Sequence, residues 1–173
     1  MTFEQLKRAL PFATRANLLK FSGPLTVAMA ERNITTPKRQ AAFLAQIAHE
    51  SGSLRYVREI ASGEAYEGRK DLGNIRPGDG IRYKGRGLIQ ITGRANHAAC
   101  SAALGHDFLL NPEALEEPMF AARSAAWFWY VHGLNDMADH DAFGSITKRI
   151  NGGYNGLDDR IVSWLTARKA LGL

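Results

Sequence analysis

Apolar residues recur along most of the chain at the three- and four-residue spacing of amphipathic helices, and capping residues mark where helices begin. Thr2 and Gln5 are placed as a capping box, which predicts a short first helix. A second helix is predicted over residues 16–21, ending at the segment SGP, and a third from Pro24 to Asn33. The N-terminal part of the chain therefore predicts three separate helices.

The segment TTPKRQAAFLAQIAHESG predicts a fourth helix with a buried face. Thr36 is a preferred N-cap residue, and Pro37 suits the first helical position because the N–H that proline lacks would be unpaired there. Gly52 is the expected stop, since glycine tolerates the left-handed conformation that follows many helices. The predicted apolar face consists of Ala41, Leu44, Ile47 and Ala48.

Residues 63–87 are dense in glycine, which predicts loops and a short hairpin instead of helix. The block WFWY at 127–130 is apolar around a whole helical turn, which predicts the central buried helix. The pattern as a whole predicts a mainly α-helical domain of two lobes, with an irregular lobe at about residues 53–90. The remaining helices are predicted at 95–104, from Pro118 to Gly133, near 141–150, and from Asp158 or Asp159 onward.

Composition narrows the possible partners and compartments. The chain carries 22 Lys and Arg against 17 Asp and Glu, a net charge of +5, and its basic residues are spread out. No basic run is interleaved with aromatics, so we expect no nucleic-acid partner. The single Cys100 cannot form an internal disulfide. The N-terminus has no signal-peptide pattern and no window is apolar enough to span a membrane, so we expect synthesis and folding in a cytoplasm.

Two familiar kinds of catalytic site fit the sequence poorly. His49-Glu50 resembles half of a zinc-protease motif, but position 53 is Ser where the second histidine is needed, so no metal site is predicted. Cys100 follows His97 by three residues, as a Cys–His wall peptidase could require, yet the alanine-rich helix around it predicts a buried, inert thiol. The other histidines show no ligand spacing: His106, His132 and His140.

Paired carboxylates fit better. Glu50 ends the buried helix and Glu59 follows nine residues later, beyond the predicted break at Gly52 that lets the chain fold back. The helix C-terminus and the apolar face favour the protonated form of Glu50, as a general acid requires. Arg55 and Arg58 favour the ionised form of Glu59, as a general base requires. Two carboxyl groups in opposite protonation states are the machinery of glycoside hydrolysis, although two solvated surface charges fit the same spacing.

Three segments in order, AHESG, YKGRGLIQITGRAN and INGGYNGLDDRI, resemble glycoside hydrolase family 19, the inverting chitinases and their bacteriophage endolysin relatives. The segment YEGRKDLGNIRPGDG resembles the phage and prophage endolysin branch. The resemblance covers roughly residues 37–173. It implies a lysozyme-like α+β fold, a single catalytic domain over 1–173 without a separate wall-binding domain, and no metal or organic cofactor.

The resemblance also implies roles for individual residues. Glu50 matches the general acid, Glu59 the general base, and Thr92 the residue that holds the attacking water with Glu59. His49 is expected to be a structural partner of the acid. The positions expected to contact substrate or shape the cleft are Tyr83, Arg86, Gln90, Asn96, Asn151 and Arg160.

One departure from the plant enzymes bears on the substrate. Plant chitinases have Asn-Tyr-Asn where this chain has Arg94-Ala95-Asn96, which removes an aromatic ring and an amide that contact sugar. The expected substrate is therefore peptidoglycan, and the expected protein is a monomeric endolysin that hydrolyses β-1,4 bonds of the glycan strands. It would wait in the host cytoplasm until a holin opens the membrane. A chitinase of the same fold and a non-catalytic glycan-binding protein are the alternatives.

Overall fold

The computed structural model describes all residues, 1–173, and its regular structure is almost entirely helical. The mainly α fold class predicted from the hydrophobic pattern is confirmed. Short 3₁₀ turns lie at Glu64–Tyr66, Lys70–Leu72 and Pro112–Glu116. The helices are α1 Phe3–Ala9, α2 Arg15–Glu31, α3 Pro37–Glu50, α4 Asp79–Arg82, α5 Arg94–Leu104, α6 Pro118–Val131, α7 Leu134–Asp139, α8 Phe143–Asn151 and α9 Leu157–Ala170.

Helix α2 is continuous, so the prediction of two helices separated at SGP is wrong. Pro24 lies inside the helix, where it removes one N–H donor, and Lys20, whose carbonyl would accept that bond, is exposed to water. The buried side chains continue at helical spacing on both sides of the proline, and α2 packs along α6. Burial of this face outweighs the local helix-breaking signal. The buried residues are Leu18, Phe21, Leu25, Ala28 and Met29.

The central helix is α3. Every residue from Ala41 to Ile47 is buried, around the full circumference of the helix, and α9 packs along it. The prediction that the block at 127–130 forms the central helix is only partly correct. Trp129 of α6 is fully buried, but Tyr130 is 51% exposed. The Thr2 capping box and the Thr36 N-cap are confirmed.

The segment from Ser53 to Gln90 contains only 3₁₀ turns and the one-turn helix α4. The predicted hairpin is reduced to isolated bridges of Arg86 with Arg58 and Ile91. Polar contacts hold this lobe: the Glu67 carboxylate accepts hydrogen bonds from the backbone N–H groups of Gly78 and Gly80. A Cβ at Gly80 would lie 2.5 Å from the Glu67 nitrogen, so the close approach of these backbones requires glycine.

A second polar contact fixes the lobe to the helical body. Asp79 is 2% exposed, and both of its carboxylate oxygens accept from the Arg94 guanidinium at the start of α5. This hydrogen bond holds the pKa of Asp79 below its usual range, against the effect of burial. No helix of the structure combines the length and the apolar character that crossing a bilayer demands.

Candidate active site

Glu50 is the last residue of α3, and an unusual turn follows it. Gly52, Ser53 and Leu54 all have positive φ, so the chain reverses over three successive left-handed residues. The turn is closed by hydrogen bonds from Ser53 N to Ala48 O (2.7 Å) and from Tyr56 N to Ser51 O (2.8 Å). A Cβ at Gly52 would lie 2.9 Å from the Tyr56 ring. The predicted reversal at Gly52 is therefore present, although non-glycine residues share the strain.

A buried guanidinium holds Glu50. Arg160 Nη2 donates to Glu50 Oε1 at 2.6 Å, and Nη1 of the same side chain donates to Gln46 Oε1. Gln46 Nε2 in turn donates to Thr147 Oγ1 at 2.9 Å. The environment of Glu50 is thus a charge pair instead of the apolar one expected from sequence. Arg160 is 2% exposed and donates to Glu50, to Gln46 and to the Asn155 carbonyl, so the structure places it behind the acid, and its role as a sugar contact stays a prediction.

His49 does not hydrogen-bond to Glu50. Its Nδ1 lies 2.6 Å from Asp159 Oδ2, and its ring occupies the space that a Cβ of Gly156 would need. His49 therefore links the end of α3 to the first turn of α9, the helix that carries Arg160. Its predicted structural role is consistent with this contact, although its partner is Asp159 and not the acid itself.

Glu59 is oriented by two donors. Tyr66 Oη donates to Oε1 at 2.8 Å, and the backbone N–H of Gly85 donates to Oε2 at 3.0 Å. Burial and the hydrogen bond to Glu59 both raise the pKa of Tyr66, which keeps its hydroxyl protonated as a donor. Arg55 and Arg58, expected to act on Glu59 as neighbours, make no hydrogen bond or ion pair with it within the structure.

Gly85 is where the second group of predicted residues meets. A Cβ built there would lie 2.7 Å from Gln90 Oε1 and 3.2 Å from both Glu59 Oε2 and Thr92 Oγ1. Thr92 Oγ1 donates to the Gln90 carbonyl at 2.9 Å, while Gln90 Oε1 is buried without a partner. Gln90 also has a positive φ of 59°. An unpaired buried acceptor and a strained backbone are features of sites that receive a ligand or an ordered water.

The other predicted substrate contacts divide into two kinds. Tyr83 is 2% exposed and its hydroxyl donates to the Leu109 carbonyl, while Arg86 is 5% exposed and paired with Glu113 and Glu116. Both side chains support the lobe from inside, and Tyr83 also lines a groove, so their role in shaping the cleft stays a prediction. Asn96 and Asn151 are accessible to solvent. Asn96 Nδ2 donates to Thr92 O, and Asn151 Nδ2 to Asn155 O.

The candidate residues therefore form two groups on different parts of the molecule. Glu50 belongs to the helical body, held from α9, and Glu59 belongs to the irregular lobe, held by Tyr66 and Gly85. The turn at 51–56 joins the two groups, and no hydrogen bond connects them. Sequence reasoning missed Tyr66 and Gly85, because neither carries a local signal that relates it to Glu59. Two separately held carboxyl groups are suited to acid–base chemistry.

Cys100 is unsuited to act as a nucleophile. The thiol is fully buried, and burial raises its pKa to about 12, so it is not a thiolate near neutral pH. Burial also lowers the pKa of His97 to about 4, and the Nδ1 of that ring faces the Gly93 carbonyl. No group of three or more His, Cys, Asp or Glu residues is arranged to hold a metal ion.

Comparison with known proteins identifies a family and several proteins that this chain resembles. The sequence model of the family described as Chitinase class I, glycoside hydrolase family 19, matches residues 20–145. A glycosyl hydrolase family 19 domain-containing protein of Haemophilus influenzae is 33% identical over 154 residues, covering 70% of this chain and 74% of that protein. An endochitinase of Arabidopsis thaliana is 38% identical over 147 residues, covering 80% of this chain and 50% of that protein. The chain spans about half the length of this plant relative.

Solved structures show the same fold. Chitinase C of Streptomyces griseus superposes with a TM-score of 0.80 at 24% identity, covering 99% of this chain and 76% of that one. A bacterial family 19 chitinase superposes with a TM-score of 0.81 at 24% identity, covering 99% of this chain and 95% of that one. The phage endolysin branch expected from sequence is not represented among these proteins. On the match over residues 20–145 and the Haemophilus relative, the chain belongs to glycoside hydrolase family 19.

Proposed function

We propose that the chain is an endolysin-type muramidase that hydrolyses β-1,4 bonds of peptidoglycan, with Glu50 as general acid and Glu59 as general base. The observation that carries the proposal is the group at Gly85, where Glu59 is oriented by two donors beside the Thr92 hydroxyl. A base that must deprotonate a water needs a fixed carboxylate and a second polar group to hold that water.

In the proposed reaction, protonated Glu50 donates its proton to the glycosidic oxygen of the leaving sugar. Glu59 takes a proton from a water held with Thr92, and that water attacks the anomeric carbon from the opposite face, which inverts its configuration from β to α. Inverting enzymes need about 6.5–9.5 Å between the two carboxyl groups to accommodate the water. As Glu50 loses its proton, the anion is stabilised by the Arg160 guanidinium already bonded to it.

The residues around the site favour peptidoglycan over chitin. Arg94 stands where plant chitinases have a sugar-binding amide, but its guanidinium is paired with Asp79 and lies 4.7 Å from the Tyr83 ring centroid. It cannot replace that contact, and Ala95 offers no aromatic surface. The net charge of +5 favours approach to an anionic envelope. As part of the same proposal, the enzyme is a monomer that reaches the wall from the host cytoplasm after a holin has opened the membrane.

Chitin hydrolysis is the second candidate. The relatives named as endochitinase in Arabidopsis and as chitinase C in Streptomyces favour it. The same two carboxyl groups would carry out the same reaction, so only the choice of glycan differs.

Product identification tests the proposal. The chain is incubated separately with purified peptidoglycan and with chitin oligomers, and products are followed by mass, reducing-end chemistry and NMR of the fresh anomer. We expect muropeptides with new reducing muramic-acid ends in the α configuration. Turnover of chitin alone would support the chitinase alternative, and a β product would contradict inversion. Release of amino groups instead would indicate a peptidase, and binding without products a glycan-binding protein.

We predict that Gly85→Ala lowers kcat about ten- to a hundredfold, the scale of small misplacements in a catalytic site. Gly85 lacks a positive φ, so alanine causes no backbone strain, and the atoms it would meet are the movable ends of Gln90, Glu59 and Thr92. Folding should therefore survive while the base is displaced. Kinetics and thermal melting of the variant measure the two effects separately.

Gly23→Ala is the matched control for this variant. Gly23 also lacks a positive φ, and a Cβ there meets nothing within 4 Å. We expect full activity from the control. Equal kcat values for the two variants would show that Gly85 is not beside the reacting groups.

A further inference from the structure

A groove of about 470 Å³ lies directly beside Glu59. Residues 55–60 form most of its lining, and Lys84 and Glu116 complete it. The proposed reaction assigns no role to this groove. Tyr56 and Ile60, which line it, are 43% and 83% exposed, so the groove is open to a ligand that enters from solvent.

The charges of the groove are unbalanced. Arg55, Arg58 and Lys84 are cationic, and none of them forms an ion pair anywhere in the structure. Lys84 Nζ donates to the Ala61 carbonyl. Both acids of the lining are already committed, because Glu59 accepts from Tyr66 and Gly85, and Glu116 accepts from Arg86 Nε at 3.0 Å. A set of unpaired cations with an open approach is complementary to an anionic group.

A second, larger groove also contains cations without a carboxylate partner, but it does not include Glu59. Arg76, Arg82 and Arg94 line the groove around Tyr83, and only Arg94 forms an ion pair. Arg94 is paired with Asp79, and Arg82 donates to the carbonyls of Leu109 and Leu110. The groove beside Glu59 is where free positive charge meets the proposed catalytic base.

The proposed reaction fixes which sugar lies next to this groove. The water activated by Glu59 attacks the anomeric carbon of muramic acid, so that ring must lie against Glu59. Muramic acid differs from N-acetylglucosamine by a lactyl group on O3, which ends in a carboxylate or continues as a peptide stem with carboxylates of its own. Chitin carries no such charge.

We propose that Arg55, Arg58 and Lys84 bind a carboxylate of the muramic-acid substituent, and that this groove selects peptidoglycan over chitin. The inference rests on the proposed function. Exposed charge pairs contribute weakly and are screened by salt, so each arginine is expected to contribute about three- to fivefold in affinity at low salt. The two arginines together then contribute about tenfold.

The test compares binding and turnover on three glycans of equal length: one with intact peptide stems, one after amidase removal of the stems, and the uncharged chitin oligomer. Arg55→Gln and Arg58→Gln are combined, because both side chains are exposed and lack partners that folding would need. Lys7→Gln with Arg15→Gln is the control, since these side chains line a separate depression at α1 and α2 and the same charge is removed. Binding is measured in a Glu50→Gln background and kcat/KM in the active chain.

We expect the groove variant to lower affinity for the stem-bearing glycan about tenfold relative to the chitin oligomer, and the control pair to leave that ratio unchanged. A loss confined to the stem-bearing glycan would assign the contact to a carboxylate of the stem. A loss confined to the amidase-treated glycan would assign it to the lactyl carboxylate, which is an amide while the stem is attached, and a loss on both would show that the groove binds either carboxylate. Equal effects on all three glycans, or equal effects of groove and control variants, would overturn the inference. Selective binding of the charged glycans without release of reducing ends would support the proposed role of the groove, but it would contradict the proposed hydrolysis.

Discussion

Replacing Glu50 by Gln is expected to lower kcat on peptidoglycan about a thousandfold, within the range of general acid catalysis. Glutamine has no proton to donate to the leaving oxygen. Its carbonyl oxygen can still accept from Arg160 Nη2, so the contact between α3 and α9 is retained. The Arg160 guanidinium, which is 2% exposed, loses its counter-charge in this variant, so we expect a lower melting temperature with the fold and the binding of glycan retained. Reducing-end release measures the loss, and thermal melting verifies that the variant is folded.

Glu117→Gln is the matched control for this variant. Glu117 is exposed and its side chain makes no hydrogen bond or ion pair, so the same chemical change should leave activity intact. Activity of the Glu50→Gln chain above about a tenth of the parent would remove Glu50 from the role of acid, because general acids contribute far more than that.

Replacing Glu59 by Gln is expected to lower kcat about a hundred- to a thousandfold, because an amide cannot take a proton from the attacking water. The cost to folding should be smaller than at Glu50, because Glu59 has no buried cation as its partner. Glutamate accepts at both oxygens, from Tyr66 and from Gly85 N. In glutamine, Oε1 can still accept from Gly85 N while Nε2 donates to the Tyr66 hydroxyl, which can accept as well as donate. The Tyr66 hydroxyl then loses the carboxylate as its acceptor, which should lower stability by about 1 kcal/mol or less, and denaturant unfolding would measure this change.

Glu64→Gln is the control within the same lobe, since Glu64 is exposed and its side chain has no partner. We expect the kcat of this control to match the parent. If Glu59→Gln were as active as Glu64→Gln, the base would have to be another group, and the meeting of side chains at Gly85 would have no catalytic meaning. The pair of variants thus tests the assignment of Glu59 as the general base.

The helices show which structural features can be predicted from a local sequence pattern and which cannot. Capping at Thr2 and Thr36 was predictable because each cap involves residues within one turn of the chain. The predicted helix break at Pro24 was wrong for the same reason. The local sequence indicates a break there, but the packing of α2 along α6 keeps the helix continuous. The exposed position of Tyr130 is a similar case, because hydrophobicity alone does not state which face of α6 meets a neighbour.

In the candidate site, too, the sequence indicates some features and only the structure gives the others. Glu50, Glu59 and Thr92 were identified from sequence, by motif and by resemblance, and the structure places the last two together at Gly85. Tyr83 and Arg86 were assigned to the cleft from the same motif, and the structure buries both within the lobe, with Tyr83 lining a groove. Neighbours in a motif share a segment of chain, but only the folded backbone decides which of their side chains point inward.

By itself, the sequence determined the helical class and the family and predicted the two carboxyl groups, because caps, apolar periodicity and short motifs are properties of adjacent residues. Only the tertiary structure decided what holds each carboxyl group. Arg160 reaches Glu50 across 110 positions of the chain, and Gly85 reaches Glu59 across 26. Such contacts depend on the packing of α9 along α3 and on the folding of a glycine-rich lobe, and no local pattern specifies which distant donor a carboxylate will meet.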